Sequence, residues 1–200
     1  MSEIEREGAA VPPAAVPAAA PAAAVRPAAA RGRILPAAAS GWRWLPLSLA
    51  VIVADRAVKL WITHHFAPLE RVHVLKVLDI ILTYNTGAAF SFLADASGWQ
   101  RWLFVLLAIG VSAALIVWMR RLDARIHGLL ACGLALIVGG ALGNMIDRVT
   151  TGRVVDFVHV HWGTHYFPAF NVADSAITIG AVLLLLDAWG ESRRAKRLRI

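Results

Sequence analysis

A chain of 200 residues, 58% of them hydrophobic, with a mean hydropathy of +0.62, is too apolar for an ordinary soluble domain of this size. Its formal net charge is +7, but Lys and Arg stand in short runs at the ends of apolar segments, which follows the positive-inside pattern and argues against a nucleic-acid partner. The single cysteine, Cys132, rules out an intrachain disulfide and reads as a small core residue within an apolar run.

Residues 1–40 form a low-complexity stretch of Ala and Pro. Prolines at 12, 13, 17, 21, 27 and 36 stop any long helix, and no continuous apolar run of the signal-peptide kind is present. A disordered cytoplasmic arm is expected there, followed by a membrane domain over 41–192 and a basic cytoplasmic tail over 193–200.

The first membrane helix is expected over about Trp44 to Thr63, long enough to cross a hydrocarbon core that needs roughly 20 residues. Asp55 and Lys59 stand four apart on one face of it, acid first, with Arg56 adjoining. A pair of this kind is expected to turn inward and fix helix packing, because a salt-bridged carboxylate is a poor proton shuttle.

Phe66 to Gln100 is too long for a tight helical hairpin. Val72 to Thr83 is rich in β-branched residues and partly alternates, so strands are expected, lying on the outer membrane surface as a small sheet or cradle. Asn85, Thr86 and Gly87 then supply turn chemistry. A second helix is expected over about Trp102 to Met119, with no ionisable group in its body. A third runs over about Gly128 to Ile146, where glycines 133, 139, 140 and 143 favour close packing. Its end carries Asn144, Asp147 and Arg148, and Asn144 and Arg148 share a face. The second outer loop, Thr150 to Pro168, has strand character over Val154 to Val160, with Asp156 inside it. The fourth helix is expected from near Asn171, a candidate N-cap, to about Trp189, and Asp174 shares a face with Asn171.

With four crossings the arm, the Arg120 to Arg125 loop and the basic tail all fall on one side, the cytoplasm. The loops bearing Asn85 and Asp156 face outward. Tryptophans 42, 44, 61, 99, 102, 118 and 189 lie near predicted helix ends, as an interfacial belt requires. The expected fold class is therefore an all-α membrane protein of four transmembrane helices with a small outer sheet.

Taken singly, Asp156 reads as a loop acid and Asp174 as a helix-capping acid. As a pair at one membrane face, flanked by Asn144, Arg148 and Asn171, they point to a water-activating dyad. Two close carboxyls do not both ionise readily, so one serves as base while the other keeps a proton for the leaving nitrogen of an amide. Neither metal nor covalent intermediate nor other cofactor is required. His159 and His161 alternate on the same strand but lack acidic or cysteine ligands at metal spacing, so no metal centre is expected. Ser175 sits in no nucleophile elbow, and no H-E-x-x-H sequence is present. The competing readings are a small proton or ion carrier relaying through Asp55, Asp156 and Asp174, and a non-catalytic membrane scaffold.

The region from about Trp44 to Glu191 resembles the lipoprotein signal peptidase (signal peptidase II) family. The resemblance rests on Asp55 with Lys59, N-T-G-A-A-F at 85–90, G-N-x-I-D-R at 143–148, G-x-V-V-D-F at 152–157 and F-N-V-A-D-S-A at 170–176. It implies an aspartic endopeptidase of the bacterial inner membrane with both termini cytoplasmic and the site toward the periplasm. Asp156 and Asp174 fall on the family's catalytic pair, and Asn85, Asn144, Arg148 and Asn171 on its substrate-contacting positions. Asp55, Lys59 and Asp147 are expected to be structural. The substrate implied is a diacylglyceryl-modified prolipoprotein, cleaved on the amino side of the lipidated cysteine. Membrane lipid is the other partner, globomycin the inhibitor, and a monomer the expected state. The Ala/Pro arm has no counterpart in the family core.

Overall fold

The computed structural model describes residues 36–87 and 97–197. Most of the expected arm, the Ala88 to Phe90 part of the N-T-G-A-A-F run and the end of the basic tail lie outside them. Residues 37–39 form a turn, Ser40 caps the 3-10 turn Gly41–Trp44, and the Ala39 carbonyl accepts from the Ala124 amide at 3.0 Å. These residues, assigned to the arm by composition, are thus hydrogen-bonded to the segment after the second helix.

Four helices follow the expected order: α1 (Leu45–His65), α2 (Trp99–Arg121), α3 (Gly128–Thr151) and α4 (Val172–Arg197). Between α1 and α2 lie β1 (Arg71–Leu75) and β2 (Leu78–Asn85); between α3 and α4 lie β3 (Val154–Trp162) and the short β4 (His165–Tyr166). The strands form one antiparallel sheet in the order β1-β2-β3-β4. The stretch read as strand over Val72 to Thr83 is a hairpin turning at Lys76 and Val77. The α1–α2 and α3–α4 connections both contribute to a single sheet, so Thr83 faces Asp156 and Asn85 faces Val154 across β2 and β3.

α3 is the central helix, packed against α1, α2 and α4. Its glycines make this possible. A Cβ on Gly140 would run into the Ala173 carbonyl at the start of α4, and one on Gly133 would come within 2.9 Å of the Gly180 carbonyl. Backbones this close bring polar groups of different helices into direct reach. Ser48 Oγ donates to the Ala135 carbonyl at 2.7 Å, tying α1 to α3. Two apolar clusters cap the bundle. Met119, Leu134 and Ala135 pack with Trp42, Trp44 and Leu45 at one end; Ile62, Leu82, Val155 and Phe157 join α1 to the sheet at the other.

Among the described residues, three helices, α2, α3 and α4, are long and apolar enough to cross a membrane. α1, at 21 residues, has the length, but Asp55, Arg56 and Lys59 interrupt its middle. Trp61, Trp99, Trp102 and Trp118 are exposed at or near helix ends, whereas Trp189, expected to close the fourth helix, is exposed along it, because α4 runs on to Arg197.

Candidate active site

The start of α4 organises the site. A helix N-terminus leaves its first amides without intrahelical partners. Here Asn171 Oδ1 accepts from the Asp174 amide at 2.9 Å, and Asp174 Oδ2 accepts in return from the Asn171 amide at 3.2 Å. This is a reciprocal capping box built from Asn and Asp. A third amide, that of Ala173, donates to Asp55 Oδ1 of α1 at 2.9 Å. The expected N-cap is therefore present, and α1 supplies part of the cap from a distant point in sequence.

Asn171 is fully buried, and its side chain joins the two acids. Its Nδ2 donates to Asp156 Oδ1 at 2.7 Å, with longer contacts of 3.2 Å to the Val155 carbonyl and to Asn144 Oδ1. Asn144 Nδ2 donates to Asp174 Oδ1 at 2.8 Å. Asp174 is thus held by the Asn144 side chain and the Asn171 backbone, and Asp156 by the Asn171 side chain. Asp156 is 3% exposed. Burial, and then the neighbouring charge of Asp174, push its carboxyl up to about 7, against hydrogen bonds from Asn171 and Asn85 and the more distant charge of Lys59. A carboxyl poised there exchanges a proton at neutral pH.

Asn85 ends β2 and is half-buried; its Oδ1 accepts from the Gly87 amide at 2.9 Å while its side chain also reaches Asp156. Arg148 lies over the Phe104 ring at 4.9 Å and donates from Nη2 to the Gly87 carbonyl at 2.7 Å. It spans from α3 to the chain just after β2. All six residues singled out from the sequence, Asp156, Asp174, Asn85, Asn144, Arg148 and Asn171, therefore converge at one end of the bundle.

The remaining charged groups form a second layer behind them. Lys59 Nζ meets Asp55 at 2.7 Å, Asp147 at 2.8 Å and Asn144 Oδ1 at 2.9 Å, which uses its three protons. Asp147 accepts from Arg56 at 2.8 Å and from the Val155 amide at 3.3 Å. The inward ion pair of Asp55 and Lys59 is as expected. Sequence reasoning missed Arg56 as the partner of Asp147, although two buried acids set against one lysine already called for a second cation. It also missed the Gly87 carbonyl and the Phe104 ring beneath Arg148, for which no local pattern gives a signal.

The chain resembles known proteins over this same region. A family model described as signal peptidase (SPase) II matches residues 47–190. A lipoprotein signal peptidase of Pseudomonas putida (strain KT2440) is 57% identical over 146 residues, covering 72% of this chain and 85% of the relative. One from Pseudomonas aeruginosa (strain PAO1) is 54% identical over 146 residues, covering 72% and 86%. A solved bacterial membrane enzyme, obtained by the in meso method, superposes with a TM-score of 0.68 at 30% identity, over 76% of this chain and 90% of its own.

Proposed function

The chain belongs to the signal peptidase II family of bacterial membrane proteases, and from that premise we propose that it is an intramembrane aspartic endopeptidase with Asp156 and Asp174 as its catalytic pair. The substrate is a diacylglyceryl-modified prolipoprotein, cut on the amino side of the lipidated cysteine. One observation carries the reading. A single buried amide, Asn171, holds Asp156 by its side chain and Asp174 by its backbone and side chain, with no cation bonded to either acid among the described residues.

In this mechanism the two carboxyls share one proton. The ionised member takes a proton from water as its oxygen attacks the carbonyl carbon preceding the lipidated cysteine. The C–N bond then breaks as the protonated member gives its proton to the leaving nitrogen, and the pair is left one proton short and one proton gained, unchanged in sum. Asn144 and Asn171 fix the carboxyl rotamers. Arg148 and Asn85 stand beside the pair, where Arg148 is suited to hold a substrate carbonyl or phosphate-rich surface and Asn85 a backbone amide.

The setting suits a lipid-borne substrate. The acids lie at the end of the bundle where the sheet begins, so the scissile bond is met near the membrane surface while its acyl chains remain in the bilayer. We assign α1 as a fourth crossing. Its ionic groups pair inward with Asp147 and Asn144, while Leu49, Val53, Leu60 and Trp61 are exposed on its outside. Four crossings put Arg120, Arg121, Arg125 and the basic tail together on the cytoplasmic side of the inner membrane, and the sheet on the periplasmic side. Globomycin is expected to inhibit, and the protein to act as a monomer.

The test is a gel-shift cleavage assay on one lipidated precursor with purified wild type, Asp156→Asn and Asp174→Asn. Cleavage by wild type and its loss in both variants, each still inserted in the membrane, is the expected result. Near-normal turnover by either variant overturns the dyad.

A further inference from the structure

The sheet brings together a second group of ionisable side chains, away from the acids above. His73 on β1, Asp79 on β2 and His161 on β3 offer one ligand atom each, all lying within 4.8 Å of one another. The pairing register explains the meeting: His73 faces Asp79 across one strand boundary, and Asp79 faces His159, two residues before His161, across the next. Alternation along β3 puts Asp156 on the opposite side of the strand from His159 and His161.

Hydrogen bonding within the group leaves much of it unsatisfied. His73 Nδ1 and Asp79 Oδ1 are 2.6 Å apart. His161 Nε2 lies 3.4 Å from the same oxygen without hydrogen-bond geometry, and neither ring nitrogen of His161 has a hydrogen-bond partner among the described residues, although both are buried. Asp79 is fully buried, and its Oδ2 has no hydrogen bond there either, with Arg71 at 3.7 Å. Buried polar atoms without partners are costly, and a common cause is a missing ion or water.

We propose that His73, Asp79 and His161 bind a divalent transition-metal ion of the zinc type, which clasps β1, β2 and β3 together. Two imidazoles and one carboxylate are a donor set suited to zinc, with the remaining position left to water. Bonds of about 2.0–2.1 Å in a tetrahedron put ligand atoms roughly 3.3 Å apart. The His161 to Asp79 separation is already of that size. The His73 to Asp79 separation has to open by under about 1 Å, and the His73 side chain, 74% exposed, is free to move. A cleft of about 480 Å³ lined by His73, Val74, Leu75, Lys76 and His161 gives a route in. Arg71 and Lys76 oppose a cation here; Arg71, at 3.7 Å from Asp79 and lying over the Tyr166 ring at 5.0 Å, has to draw back from the carboxylate for the ion to enter. The clasp stiffens the sheet that carries Asn85 and Asp156 and takes no part in peptide cleavage. It does not depend on the proposed catalytic pair.

The experiment is calorimetric titration of zinc chloride into the full-length, untagged protein in detergent, with thermal melting followed by tryptophan fluorescence. Wild type is expected to bind one zinc per chain at micromolar or lower concentration and to melt higher with zinc. Asp79→Asn and His161→Gln are each expected to weaken binding at least about 30-fold and abolish the melting shift while still cleaving prolipoprotein. His73→Ala, a change at a largely exposed side chain, is expected to weaken it about 10-fold or more and decides the matter where a buried variant misfolds. Absence of zinc binding by wild type below about 100 μM overturns the proposal. So does binding that His73→Ala leaves unchanged, which would put the ion elsewhere, for example at His127, Asp187 and Glu191.

Discussion

Two sets of buried acids lie side by side at one end of this bundle, and they are treated differently. Asp55 and Asp147 are matched by Lys59 and Arg56, at 2.7–2.8 Å, so acids and bases balance two against two. Asp156 and Asp174 receive amide hydrogen bonds instead, from Asn171, Asn144 and Asn85. Amides orient a carboxyl without neutralising it. The first set fastens α1 to α3 through Lys59 and Asp147, and α1 to α4 through Asp55 and the Ala173 amide. The second, under the proposed mechanism, keeps a proton in play, which is what general acid–base chemistry demands. Asn144 separates the two, accepting from Lys59 on one side and donating to Asp174 on the other.

The contrast is broken most sharply at the second set. Asp156→Asn and Asp174→Asn each retain shape but remove an acid–base group, and turnover in the gel-shift assay is expected to fall by about 10³-fold or more. Melting temperature in detergent is expected to change little or to rise, because a buried acid has been replaced by a neutral amide.

The first set is expected to respond in the opposite way. Lys59→Met leaves Asp55 and Asp147 buried, with Arg56 paired to Asp147 and the ion-pair partner of Asp55 gone. Breaking a buried pair in this manner costs about 3–5 kcal/mol, read as a large drop in thermal stability and in the yield of folded protein. A variant that melts like wild type would show that the network is not what fastens the helices.

A smaller effect is expected where the two sets are brought into register. Gly140→Ala puts a methyl against the Ala173 carbonyl, beside the Asn171 cap. Overpacking here is expected to cost about 1–3 kcal/mol and to lower kcat more than it raises KM, since α4 must shift with its Asp174. Unchanged kinetics would show that the site tolerates displacement of that helix end.

The gentlest test is pH. With Asp156 at about 7, kcat/KM is expected to fall as pH rises through that value and the shared proton is lost. Asn85→Ala removes a hydrogen bond that favours the anion, so the alkaline limb is expected to move upward by less than about one pH unit. The same raised value has a stability consequence. The fold binds the Asp156 proton more tightly than the unfolded chain, whose carboxyl titrates near 3.8. That contribution is present in full below the unfolded value and is lost progressively as pH climbs from about 4 to about 7. In Asp156→Asn the slope over this window should flatten, and an unaltered slope would assign it to another group.

Sequence pattern by itself was enough to determine the four helices, the strand character on both sides of α2 and α3, and which acids and amides to look for at one end of the bundle, because apolar runs of membrane length and buried charges are local, costly signals. Spacing of three and four along a helix also identified Asn171 with Asp174 and Asp55 with Lys59. What the tertiary structure alone decided was partnership across distance. Arg56 meets Asp147, Asp55 caps α4, and strands from two separate loops close one sheet. His159 and His161 read as a pair without an acid until pairing with β2 brought Asp79 beside them. The physical reason is the same in each case. Periodicity records which face of an element is buried, whereas the partner on the other side of that face depends on how close the glycines of α3 let its neighbours come and on the register in which the strands lock.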